Sequence, residues 1–244
     1  MSNAINPSNY SLVELRRFYL ALSLLLAVLA TIGFWPLYFG PFLVGKINTD
    51  LVIHVHVSVY VGWLALFIAQ CAFVAFGHVA LHRKIGKFGL VWGFVVIVVG
   101  LTTTFVRFVD RLSEGGIDRA ENFGVWPVID MVLFASFLGA AAVHRRRSEN
   151  HKRLMIVAAT SILVASLGRF TSFDPDSAAS HTILLALWMS PILLAMAHDY
   201  FRQRIVHPVF VVGVLVLGAS SFRDPIRFSD SWINFTHWLA AVIT

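Results

Sequence analysis

Long apolar runs separated by short charged stretches make up most of this chain. A helix needs about 20 mainly apolar residues to cross a bilayer. Seven runs qualify: 18–40, 51–77, 88–109, 124–144, 154–173, 178–200 and 205–222. An eighth, 232–243, is too short to cross at ~1.5 Å per residue. Its Trp232, Phe235 and Trp238 instead predict a helix lying in the interface. The pattern therefore predicts an all-α fold, a polytopic membrane helix bundle with seven transmembrane helices plus a short C-terminal interfacial helix. It reads as a single integral membrane domain over 1–244, with a polar N-terminus at 1–15 and an amphipathic tail at 229–244. The first run is longer than the roughly 7–15 apolar residues of a signal peptide. It ends in the interfacial trio Trp35, Pro36 and Tyr38, so it is expected to remain as a span.

Composition agrees. Charged residues are 13% of the chain, against about 25% in soluble domains, and the mean hydropathy is +0.77. The net charge of +6 is explained by its distribution. Arg16 and Arg17, Arg83 with Lys84 and Lys87, Arg145 to Arg147 with Lys152 and Arg153, and Arg202 with Arg204 mark one set of helix ends. The alternate ends mix Lys46 with Asp50, and Arg111 and Arg119 with Glu114, Asp118 and Glu121. The positive-inside rule then predicts a multi-pass protein of the inner (plasma) membrane, N-terminus cytoplasmic and C-terminus external. The lipid bilayer, rather than nucleic acid, is the partner this charge implies. The single cysteine, Cys71, lies inside an apolar run and offers neither a disulfide framework nor a cysteine metal site.

The informative residues are ionisable groups at membrane depth. Such groups are costly and face a bundle interior or a cavity. With the predicted topology, His54, His56, Arg107, Asp130, Arg169 and His181 fall in one layer near the outer face, on five different spans. Residues three, four and seven apart share a helix face. His54 continues through Ser58, Gly62, Ala65, Ala69 and Ala72, a stripe of small residues suited to close packing. His56 continues through Tyr60, Trp63, Phe67 and Gln70. Two steps along a helix turn about 200°, so one of the two histidines is expected to be a ligand, with His54 slightly favoured. Arg107 is spaced to pair with Asp110. Two deep arginines against one deep aspartate leave positive charge for haem propionates, an anionic substrate or a lipid phosphate, which a guanidinium fork grips.

At the inner ends, His82, His144, His151 and His198 come from four different helix ends beside lysines and arginines. His82, His151 and His198 form a candidate second site, since neutral imidazoles ligate haem iron and other transition metals. No phosphate-gripping glycine loop, H-E-x-x-H motif or nucleophile elbow is present, and no lysine sits at mid-span to form a Schiff base. Ser190-Pro191 is the clearest kink candidate within a run.

The segments Ile53-His54-Val55-His56, Tyr60-Val61-Gly62-Trp63 and Leu81-His82-Arg83-Lys84-Ile85-Gly86 resemble the cytochrome b561 superfamily. They also resemble uncharacterised bacterial multi-span proteins with a His-Arg-x-x-Gly turn. The resemblance covers the second and third runs. It implies four helices whose histidines hold two haems, one near each face, with His54 or His56 as an outer ligand and His82 as an inner one. The chain departs from that pattern in the fourth run, which carries Asp130 rather than a histidine, so the outer partner falls to His181. The expected function is a b-type haem or other metal-bearing membrane oxidoreductase. Its outer metal ligands would be His54 and His181, Arg107, Asp130 and Arg169 would surround the cofactor, and an electron-transfer partner or a larger membrane complex would be implied. Two alternatives stay open, a small-molecule or proton-coupled transporter and an accessory or assembly subunit of a larger membrane complex.

Overall fold

The structure, a computed structural model, describes residues 7–121, 123–169 and 177–244. The start of the polar N-terminus, 1–6, and the end of the expected run 154–173 lie outside the described residues. The described elements are all helical: α1 (Pro7–Phe34), a π-helical turn (Trp35–Phe39), α2 (Gly40–Leu43), α3 (Leu51–Ala75), α4 (Val79–Ala120), α5 (Val125–Val143), α6 (Ser148–Ser161), α7 (Val164–Leu167), α8 (Ala178–Gln203), α9 (Pro208–Ser220), α10 (Asp224–Arg227) and α11 (Asp230–Ile243).

Among the described residues five helical stretches are long and apolar enough to cross a membrane: Leu12–Leu43, Leu51–Ala75, Val79–Ala120, Val125–Val143 and Ala179–Gln203. The expected count of seven is therefore not confirmed. The run 154–173 begins as α6, but the helix breaks at Ile162 and Leu163 before resuming as α7. At the break the Trp188 indole N–H takes the Thr160 carbonyl at 2.7 Å. The Ser161 and Ser166 hydroxyls donate to the carbonyls of Ala158 and Leu163. Short hydroxyl side chains that bond neighbouring carbonyls compete with the helical ladder in this way. The run 205–222 yields only the 13 residues of α9, about 20 Å long. It stops where the Ser220 and Ser221 hydroxyls fold back onto Leu217 and Gly218.

The main core joins α1, α3, α5, α6, α8 and α9 around Leu26, Phe134, Val157, Trp188, Ile192 and Leu217. Glycines bring helices close: a Cβ on Gly93 would clash with Leu138 Cδ2, and one on Gly100 would lie 2.5 Å from the Tyr60 hydroxyl. The third run reaches well past its apolar part. Its helix, α4, is 42 residues long and turns at Gly116, whose φ of +68° only glycine adopts freely. The α4 extension carries a small second core of Phe108, Ala120 and Ala240. The C-terminal α11 is thus packed against α4, and Trp232 Nε1 donates to the Glu121 carbonyl at 3.0 Å.

Candidate functional sites at the two ends of the bundle

Of the two faces of α3, the one carrying His56 turns inward. Trp63 and Phe67, on that face, are buried, whereas Ser58 and Ala65 on the His54 face are exposed. His56 Nδ1 lies 3.2 Å from Thr103 Oγ1, and that hydroxyl already donates to the Val99 carbonyl at 2.8 Å. Thr103 can then only accept from the imidazole, so Nδ1 carries the proton and Nε2 is left with its lone pair. The ring stacks on Tyr60 at 4.2 Å between centroids. His56 and Tyr60 line an apolar pocket with Phe34, Trp63, Leu163 and Ser166, on the side of α3 facing α1 and the α6–α7 break. His54 belongs to a different setting. Its Nδ1 meets the Tyr38 hydroxyl at 2.8 Å, beside Phe42.

The other deep charges differ in their partners. Asp130, buried on α5, is matched by Arg223, which is also buried and lies 93 residues away after α9. The Arg223 guanidinium stacks on Trp126 at 4.5 Å. Arg107 bonds Asp50 at 2.5 Å and Asp110 at 2.8 Å. Asp50 also caps α3 through the Ile53 N–H; that backbone bond, then the Arg107 guanidinium, holds its carboxyl below the usual range. Arg169 donates to the Ala165 carbonyl and lies over the Phe34 ring at 5.2 Å. His181 is exposed on the first turn of α8. The expected outer layer thus resolves into several separate settings. Among the described residues no group of three or more histidine, cysteine or carboxylate side chains is placed to hold a metal ion.

At the opposite end, α4 and α6 each present a histidine from their first turn. The His82 and His151 rings stand 6.3 Å apart at 73°. His151 Nδ1 is 2.8 Å from the Ala141 carbonyl. A carbonyl only accepts, so Nδ1–H is fixed on it and Nε2 is free, the arrangement that metal-ligating imidazoles adopt. Among the described residues His82 Nδ1 is buried without a hydrogen-bond partner, as are both polar atoms of the Gln70 amide, and Gln70 Oε1 lies near Gly86. His198, the third expected member, is stacked on Phe18 at 3.8 Å.

The α6 turn carrying His151 is held by a network that the sequence reading assigned to membrane anchoring. Arg153 is almost wholly buried and forms a two-point bond with Asp199 of α8, at 3.0 and 2.8 Å. It also bonds Glu149 at 2.6 Å, and Lys152 bonds Glu149 at 2.7 Å. Partial burial pushes the Glu149 carboxyl up, but the bonds from Lys152 and Arg153 outweigh that and hold it below its ordinary range. The sequence reading passed over Asp199, Arg223 and Thr103, and took Tyr38 only as an interfacial residue. Asp199 carries a sequence signal, an acid beside His198 in a run end otherwise marked by basic residues. No known protein family, curated protein or solved structure matches the chain.

Proposed function

We propose that this is a b-type haem electron-transfer protein of the inner (plasma) membrane, in which His82 and His151 would hold the haem. The observation that carries the reading is the approach of these two rings from α4 and α6, whose centres stand 6.3 Å apart at 73°. Neutral imidazoles of this kind would hold the haem iron. Among the described residues the donor set, two imidazoles and no third ligand, fits haem better than a bare metal ion. The unpartnered His82 Nδ1 and Gln70 amide are buried polar groups that a bound group would satisfy.

A haem held there supplies one-electron redox chemistry. The chain's own residues do the rest. The Ala141 carbonyl orients His151 and fixes its tautomer. The Arg153–Asp199 pair ties α6 to α8 and keeps that turn from moving. Arg83, Lys84 and Arg145 to Arg147 lie on the same helix ends and offer positive charge to propionates. On this reading the basic ends and the N-terminus are cytoplasmic, and an electron-transfer partner docks there. The earlier outer pair, His54 with His181, is not retained, since each has its own separate surroundings.

The test is the visible spectrum of protein purified from cells supplied with haem. The expected result is a Soret band of stoichiometric haem, lost in His82→Ala and His151→Ala and kept in His78→Ala, whose histidine is exposed nearby. Absence of the band from the wild type overturns the reading.

A further inference from the structure

At the end of the bundle where α4 passes into α5, three arginines line one pocket. Arg111 and Arg119 come from the α4 extension and Arg227 from α10, and Phe123, Gly124, Trp126 and Pro127 complete the wall. The pocket holds about 690 Å³ of space, part of it open to the outside, and no carboxylate is among its lining residues. Converging guanidinium groups repel one another unless an anion sits between them.

The backbone is built to bring them together. The left-handed Gly116 turns the end of α4, and Gly115 leaves the space in which the Arg119 stem lies, since a Cβ there would come within 2.7 Å of Arg119 Cδ. Arg111 is held over the Phe123 ring at 4.4 Å. Arg227 is set over Phe228 at 5.0 Å, and its Nε is buried without a hydrogen-bond partner among the described residues. Arg119 has a carboxylate, Glu114, at 3.2 Å, but both side chains are more than half exposed, so that pair contributes little.

We infer that Arg111, Arg119 and Arg227 form a binding site for a phosphate-bearing anion. Guanidinium forks match phosphate oxygens two at a time, and three of them meet the charge of a phosphate monoester. The same chemistry is offered by free phosphate and by an anionic lipid headgroup. Trp126 and Trp232, which stand at this end, belong to the residue type that marks a membrane interface. The site is independent of the haem reading, because it lies at the opposite end of α4 from His82.

Trp126 provides the reporter. The protein is placed in nanodiscs of phosphatidylcholine alone and titrated with inorganic phosphate. A second preparation uses equal parts phosphatidylcholine and phosphatidic acid, and Trp126→Phe identifies the responding indole. A saturable Trp126 signal with inorganic phosphate assigns a soluble anion. A signal only with phosphatidic acid assigns a lipid headgroup. In either case Arg111→Ala and Arg227→Ala are expected to weaken binding by about tenfold each or more, while Arg17→Ala, an exposed arginine at the other end of the bundle, leaves it unchanged. No saturable signal in either preparation overturns the proposal, as does wild-type affinity in both arginine variants. Arg111 is exposed, so its replacement does not threaten folding.

Discussion

At the scale of single residues, the buried charges are governed by their partners. Asp130 and Arg223 are both nearly inaccessible, and removing one leaves the other unpaired in a low-dielectric interior. Asp130→Ala should therefore destabilise the protein by about 3–5 kcal/mol, read as a lower midpoint in detergent unfolding. Asp130→Ala combined with Arg223→Ala should cost less than the two single losses added; strict additivity would show that the pair is not coupled. Asp50 is different, an exposed cap and ion-pair partner. Its carboxyl is depressed in the folded chain, so its contribution is fully present above the ordinary carboxylate range. That contribution fades as pH falls through the folded value. Thermal stability of the wild type should drop more on acidification than that of Asp50→Asn; identical pH profiles would remove Asp50 from the account. The sequence identified Asp130 as deep and unusual, but its partner lies 93 positions away, and no local spacing rule reaches that far.

The helices themselves are set by close packing and by where the backbone ladder is interrupted. Gly100→Ala places a methyl against the Tyr60 hydroxyl and Met131 Sδ. Overpacking of this kind costs about 1–3 kcal/mol, and the same unfolding measurement checks it, with Gly139→Ala, which meets open space, as the neutral control. Helix existence was legible from the apolar runs, because length and hydropathy alone set it. Helix continuity was not. The runs 154–173 and 205–222 are apolar enough, but Ser161, Ser166, Ser220 and Ser221 turn their hydroxyls onto nearby carbonyls, and hydropathy is blind to that competition. The packing of the His54 and His56 faces was illegible for a related reason. Small residues at Ser58 and Ala65 suggested a packed face, yet the large side chains Trp63 and Phe67 are the buried ones. Arg153 read as a headgroup anchor because it stands in a basic cluster. Only the tertiary arrangement, which brings Asp199 alongside, places it in the interior.

On the scale of the whole molecule, the two ends of the bundle do different work. One end pairs Asp130 with Arg223 and gathers arginines beside α11. The other pairs Arg153 with Asp199 and, among the described residues, leaves His82 Nδ1 and the Gln70 amide buried without a hydrogen-bond partner. The sequence pointed to both ends, favouring the first and keeping the second in reserve; the proposed haem site takes up the second, where the His82 and His151 rings stand 6.3 Å apart. The most direct test is the low-temperature electron paramagnetic resonance spectrum of the oxidised, haem-supplied protein. The account predicts a low-spin ferric signal of two-imidazole ligation that disappears in His151→Ala. A high-spin signal, a low-spin signal untouched by that substitution, or no iron signal at all would contradict it.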